Sequence, residues 1–327
     1  MRDRRRLVGS NVGTRGAMSR LISIVMPCFN EQDNVRIAFE AVKTVMAAHP
    51  SYDYEHIFID NASTDRTPEA LRELAVENPE VKVILNVRNF GHVRSPYHAV
   101  LQSAGDAVIP MASDLQDPPE LISQFLEKWE QGFKSVVAVK SSSDESWLMY
   151  RIRGLYYKIV QRLSDVPQVQ NFTGFGLYDR TVIDVLRDLK DPYPYFRGLV
   201  LEFGPEPAIV EFTQPRRKHG ITKNNFYTLY DLAMLGVTSH SRVPLRLATW
   251  LGFLSAAASL VAGMAYLVYK LLNWQSFSVG LAPLIIGLFF LSSVQLFFLG
   301  VIGEYVGAAY TQVLRRPLVV ERERINF

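Results

Sequence analysis

At 327 residues the chain is long enough for about two domains, and a net charge of only +3 gives no global support to a nucleic-acid surface. Hydrophobic residues make up 48% of it, high for a wholly soluble protein, yet residues 1–240 are ordinary mixed sequence and the apolar excess lies between 245 and 313. The single cysteine, Cys28, excludes an internal disulfide and fits a reducing compartment.

The chain opens on an arginine-rich stretch (Arg2, Arg4, Arg5, Arg6) with no apolar core behind it, so it is not a signal peptide. Residues 1–20 are expected to form a disordered basic tail. Leu21–Met26 then reads as a buried strand ending at Pro27-Cys-Phe-Asn30-Glu31, followed by a helix from about Asn34 to Ala48. Tyr54–Asp60 is the next strand, running into Asp60-Asn61-Ala-Ser63-Thr64-Asp65, and Thr67-Pro-Glu opens a helix to about Asn78. Val81–Asn86 is a third strand with Arg88-Asn89-Phe-Gly-His92 beyond it. A helix over Ser95–Ala104 leads to a strand ending at Asp114, and a proline-started helix follows Pro118.

Regular alternation of strand and helix predicts an α/β domain over 21–240 with a mostly parallel sheet and helical crossovers. The polar groups all fall just after strands. Pro27–Glu31, Asp60–Asp65, Arg88–His92 and Asp114–Asp117 therefore share one rim of the sheet, where ligands of open α/β sheets lie. Each group alone also reads more plainly: Asp60, Asn61 and Ser63 as turn and capping residues, Asn30-Glu31 as a cap. Neither the Gly-x-Gly-x-x-Gly fingerprint nor a Gly-x-x-x-x-Gly-Lys-Ser/Thr phosphate loop occurs.

Further on, Leu148, Ile152, Leu155, Ile159 and Leu163 recur at helical spacing among Arg151, Arg153, Lys158 and Arg162. This suits an interfacial helix near 147–165 that meets lipid phosphates, or equally a helix packed on the sheet with solvated basic residues. A second apolar helix near 226–239 follows the basic loop Arg216–Lys223. Segments 248–272 and 281–303, within 245–313, carry almost no charge and are each long enough to cross a hydrocarbon core of about 30 Å. Arg242 and Arg246 before the first span, and Arg315 and Arg316 after the second, put both termini and the α/β domain on the cytoplasmic side. Residues 314–327 are read as a cytoplasmic tail.

Taken together, the motifs resemble those of family 2 glycosyltransferases of GT-A (Rossmann-like) fold, and more narrowly the polyprenyl-phosphate glycosyltransferases. They are Pro27-x-x-Asn30-Glu31, Asp60-x-x-Ser63-Thr-Asp65, Arg88-Asn-Phe-Gly91, Asp114-Leu-Gln-Asp-Pro118, Phe175-x-Leu-x-Asp179-Arg180, Phe196-Arg197-Gly198, Arg217-x-x-Gly220-x-Thr222-Lys223, Gly303-Glu-Tyr-Val-Gly307 and Arg316-Pro317. The resemblance implies a nucleotide-sugar donor, UDP by family weight, and a polyprenyl phosphate acceptor met at the bilayer. It implies Mg2+ or Mn2+ on Asp114 and Gln116, and a basic loop in which Arg217 and Lys223 close on phosphate. It gives Pro27, Asn30, Glu31, Asp60 and Asn61 to the nucleoside, with Arg88, Asn89 and Arg197 also in the binding set. A homotetramer in the bacterial inner membrane completes the expectation, with no nucleic-acid partner.

The chain departs from the family pattern at three positions: Ala112 and Gly174 stand where acidic residues are usual, and Ala308 where an arginine is. With fewer carboxylates, metal binding should lean more on the donor diphosphate. Loss of a base at 174 is tolerable if the acceptor is a phosphate monoester. Its second pKa is about 6, so it is already an anion at neutral pH, whereas a sugar hydroxyl would need deprotonation. A degenerate scaffold and a polysaccharide synthase remain as rivals; the Gln-x-x-Arg-Trp signature of the latter is absent.

Overall fold

The computed structural model describes residues 19–141, 169, 171–215, 234–236, 238, 243–273 and 281–327. Arg217, Lys223, the helix expected near 147–165, most of that near 226–239 and nearly all of the basic N-terminal tail lie outside the described residues.

Eight strands form one sheet in the order β7-β5-β6-β4-β1-β2-β3-β8. The first half alternates as expected: β1 (Arg20–Cys28), α1 (Val35–Ala47), β2 (Tyr52–Asp60), α2 (Thr67–Glu77), β3 (Val81–Asn86), α3 (Gly91–Gln102) and β4 (Ala107–Pro110). β1 lies between β2 and β4, and all of its pairs are parallel. Such a strand is covered on both faces. Ile22, Ile24, Val25 and Met26 are accordingly fully buried, without the alternation of a half-exposed strand. The helices contribute one stripe each: Val35, Ala38, Phe39, Val42 and Met46 of α1 pack on one face, while Tyr97, Ala99 and Val100 of α3 pack on the other.

The second half comprises α4 (Leu121–Glu130), β5 (Ser135–Lys140), β6 (Phe172–Asp179), α5 (Arg180–Leu189), α6 (Phe196–Phe203) and β7 (Ala208–Phe212). β6 runs antiparallel to both β4 and β5, and β7 returns parallel to β5. Strand order reverses across β1 and β4, so the crevice beyond their carboxyl ends is the place where such a sheet takes a ligand.

Three boundaries differ from expectation. α3 begins at Gly91 rather than Ser95, with Pro96 inside it; proline is favoured in a first turn, which is why the Ser-Pro pair reads as a start. β4 stops at Pro110, leaving Asp114 in a loop and not on a strand. The C-terminal stretch is not merely a tail. Glu321–Ile325 forms β8, antiparallel to β3, with Val83 opposite Ile325 and Leu85 opposite Glu323.

Between the domain and β8 run α7 (Val243–Leu272) and α8 (Leu281–Leu314), both long and apolar enough to cross a membrane and neither buried in protein. At 1.5 Å per residue a helix of 34 residues spans about 50 Å, well beyond a hydrocarbon core of about 30 Å. The last turns of α8 reach the α/β domain, where Gln312 Nε2 donates to Asp191 Oδ1 at 2.8 Å.

Candidate active site

Two neighbouring structures occupy the crevice: a hydrogen-bonded rim at the ends of β1, β2 and β3, and a cavity beneath the loop after β4. In the rim, Asn30 adopts a left-handed conformation (φ 57°). Its backbone N–H donates to Ser63 Oγ at 2.8 Å, and its Oδ1 accepts the N–H of Thr64 at 2.8 Å. Glu31 N–H donates to Thr67 Oγ1 at 2.9 Å, and Glu31 Oε2 accepts from Asn34 Nδ2 at 2.6 Å. The buried Asp60 carboxylate accepts from the Ser63 N–H at 3.0 Å and from its hydroxyl. Burial lifts the Asp60 pKa above its ordinary value, against the pull of Ser63 and of Arg322 from the tail. Asn61 Oδ1 accepts the Phe90 N–H at 2.8 Å, while its Nδ2 donates to Asn89 Oδ1 at 2.9 Å and to the Gly91 carbonyl at 3.1 Å. These bonds bear out the turn-building reading of these residues: loop-to-loop bonds hold three strand ends in fixed register.

The cavity, of about 220 Å³, is walled by strand ends, α3 and the segment 194–197. Pro27 and Arg197 of the expected residues line it, as do Ala112 and Gly174, so two positions where the chain departs from the family pattern face one space. Asp117, Thr173, His92 and Tyr195 are among its polar lining residues. Asp117, inside the Asp114-Leu-Gln-Asp-Pro118 motif, is a buried residue of this wall. Its Oδ2 accepts the Ala112 N–H at 2.9 Å, and burial pushes its carboxyl up to about 6, opposed by that bond and favoured by the charge of Asp114. The Thr173 hydroxyl is buried with no hydrogen-bond partner among the described residues.

Asp114 and Gln116 sit on one turn around Leu115, which has φ 59°; Asp114 Oδ1 accepts the Gln116 N–H at 3.1 Å. Among the described residues no group of three or more His, Cys, Asp or Glu side chains is arranged to hold a metal ion. One carboxylate and one amide oxygen fit an octahedral Mg2+ or Mn2+ that takes its remaining ligands from diphosphate and water. They do not fit an all-protein cage. Arg88 lies over Phe90, its guanidinium carbon 4.2 Å from the ring centroid, and its Nη1 donates to the Asn89 carbonyl at 3.3 Å. Cys28 is buried with its thiol pKa raised by desolvation, which removes it as a nucleophile.

Two family models match the chain: "Glycosyl transferase family 2" over residues 23–187 and "GtrB C-terminal hairpin" over residues 243–309. The SfII prophage-derived bactoprenol glucosyl transferase of Shigella flexneri is 33% identical over 297 residues, covering 90% of this chain and 96% of that protein. Glycosyltransferase YkcC of Bacillus subtilis is 34% identical over 306 residues, 93% of this chain and 94% of that one. Glucosyl-3-phosphoglycerate synthase from Mycobacterium tuberculosis, crystallised with Mn2+, UDP-glucose and phosphoglyceric acid, aligns with a TM-score of 0.44 at 17% identity, over 67% of this chain and 78% of that one. The chain belongs to glycosyl transferase family 2, with a GT-A, Rossmann-like α/β fold and an apolar C-terminal hairpin. It is a glycosyltransferase, and the hairpin makes it membrane-associated.

Proposed function

We propose that the protein transfers a hexose from a nucleotide sugar, UDP-linked, to polyprenyl phosphate at the cytoplasmic face of a bacterial plasma membrane, with inversion at the anomeric carbon. The observation that carries this is the cavity wall. Arg197 supplies a cation there, Gly174 leaves vacant the position where the family pattern carries a candidate base, and the carboxylate among the lining residues, Asp117, is buried and accepts the Ala112 N–H. Such a wall suits an acceptor that arrives already ionised. The bactoprenol glucosyl transferases among the relatives support the same acceptor class.

In this reading Pro27, Asn30, Glu31, Asp60, Asn61 and Asn89 frame the nucleoside, preorganised by the bonds among their loops. Asp114 and Gln116 would hold Mg2+ or Mn2+ against the diphosphate; the ion supplies charge neutralisation for the leaving group. Arg217 and Lys223 close over the phosphates and stabilise charge where it develops. Arg197 orients the lipid phosphate opposite the leaving group, so the acceleration comes from positioning and electrostatics. The reading extends to a homotetramer with both termini cytoplasmic.

The test is transfer by purified protein of labelled sugar to polyprenyl phosphate with Mg2+ or Mn2+, across the common nucleotide sugars. Product is expected with at least one donor and abolished by Asp114→Ala. Absence of product with every donor overturns the proposal. Arg217→Ala is expected to cut turnover with the fold intact, and full activity in that variant would remove the phosphate role of the basic loop.

A further inference from the structure

Three arginines gather where α8 gives way to the tail. Arg88 and Arg94 flank one ring, their guanidinium carbons 4.2 and 5.4 Å from the Phe90 centroid. Arg94 Nη2 donates to the carbonyl of Pro317, which draws the preceding residue, Arg316, toward the same spot. Burial lowers the pKa of Arg94, and the charges of Arg88 and Arg316 lower it further.

Elsewhere on this surface arginines have acidic partners: Arg36 with Glu77, Arg72 with Glu323, Arg187 with Asp184, Arg324 with Glu321. Among the described residues no carboxylate forms an ion pair with Arg88, Arg94 or Arg316, and Arg94 Nε is buried without a hydrogen-bond partner. Like charges held together without a counter-ion raise the free energy of the fold, so the arrangement calls for an anion. The amino end of α3 adds its partial positive charge at Gly91. His92 and Val93 of the same turn line the cavity.

We propose that Arg88, Arg94 and Arg316 form a phosphate-binding cluster, completed when the tail docks on α3, that receives a membrane-borne phosphate at the mouth of the cavity. Guanidinium groups match phosphate oxygens in bidentate geometry. The cluster follows on the end of α8, on the α/β-domain side of the apolar span, where a lipid phosphate passing from the bilayer to the cavity would meet it. It therefore admits the phosphate of the lipid acceptor or of an anionic headgroup, and Arg88 serves this side of the site and not the nucleoside. The inference deepens the function proposed above and rests on it for the acceptor.

The experiment measures binding without turnover, so failure of sugar transfer bears only on the proposed function. Full-length protein in phosphatidylcholine nanodiscs is titrated with farnesyl phosphate, with farnesol, and with UDP plus Mn2+. Arg94→Gln and Arg316→Gln are each expected to weaken farnesyl phosphate about tenfold or more, leaving farnesol and UDP within about twofold. Arg94→Lys should retain most of the binding, and Arg36→Gln, which removes a distant charge, all of it. Unchanged amide exchange over 321–325 shows that the tail stays docked.

That result assigns the cluster to the acceptor phosphate. If farnesyl phosphate binds equally to all variants, but phosphatidylglycerol added to the nanodiscs perturbs the wild type and not Arg316→Gln, the occupant is a headgroup and the cluster stands. A selective loss of UDP binding, or no change with any probe, overturns the proposal.

Discussion

Asp117 holds the backbone of Ala112: its Oδ2 accepts the Ala112 N–H at 2.9 Å, so the loop after β4 is braced at the position where the family pattern has an acid. The brace is a backbone bond and does not depend on the side chain at 112. Ala112→Asp should therefore fold with the loop unchanged and present a second carboxylate beside Asp114. The concentration of Mn2+ giving half-maximal activity is expected to fall about tenfold, because the ion then leans less on the diphosphate. Titration of activity against Mn2+ in the two proteins checks it; coincident curves would remove Asp114 as the ligand whose set is incomplete.

Gly174 has φ +102°, a conformation that side chains rarely adopt. A Cβ there would come no nearer than 3.6 Å to the Phe196 ring, so the obstacle is backbone strain and not space. Gly174→Ala is expected to lower stability by about 1–3 kcal/mol. Gly174→Asp should lose at least as much and gain no turnover, since an ionised phosphate acceptor needs no base. A rise in kcat for Gly174→Asp would argue for a hydroxyl acceptor.

His56 is fully buried, stacked on Phe58 at 4.2 Å, and among the described residues neither ring nitrogen has a hydrogen-bond partner. Burial drops its pKa from 6.5 to about 3. The folded state therefore binds a proton less readily than the unfolded chain. The stability this gives is fully present above pH 6.5 and is lost as pH falls toward 3. The loss reaches about 2 kcal/mol by pH 5, at about 1.4 kcal/mol per unit. His56→Leu should flatten the acid limb of the stability profile measured by denaturant unfolding between pH 7 and 4. Parallel decline of both proteins would assign acid lability to other groups.

How much of this was legible in the sequence follows from the range of the forces involved. β1 and β3 were readable because burial on both faces demands continuous apolar runs, and the residues after them fell on one rim because parallel strands point their carboxyl ends the same way. Asp117 was legible as a member of the Asp114–Asp117 rim but not in its contacts, which lie in the Ala112 N–H and in a cavity closed by 194–197, far along the chain. β8 was hidden for a similar reason. Glu-Arg-Glu-Arg reads as solvated sequence until β3 is beside it, whereupon Glu321 meets His98 at 2.6 Å and Arg324 meets Gln102 at 3.0 Å. Arg88 likewise reads as one more binding residue after β3 until the chain returns from α8 and brings the Pro317 carbonyl to Arg94.

The edge made by β8 yields the last prediction. Removing residues 321–327 would strip the ladder facing Val83–Asn86 and the two bonds, each 2.8 Å, from Asn326 Nδ2 to the carbonyls of Ala75 and Val81. At about 1 kcal/mol net per hydrogen bond, the truncated protein should lose about 3 kcal/mol or more, and its bare β3 edge should promote association. Arg72→Ala breaks the 2.7 Å ion pair to Glu323, whose partners are 37% and 39% exposed, and should cost no more than about 1 kcal/mol. Thermal unfolding of the detergent-solubilised proteins, with light scattering for aggregates, separates the two contributions. Equal losses from truncation and from Arg72→Ala would mean that the ion pair, not the backbone ladder, fastens the tail to the sheet.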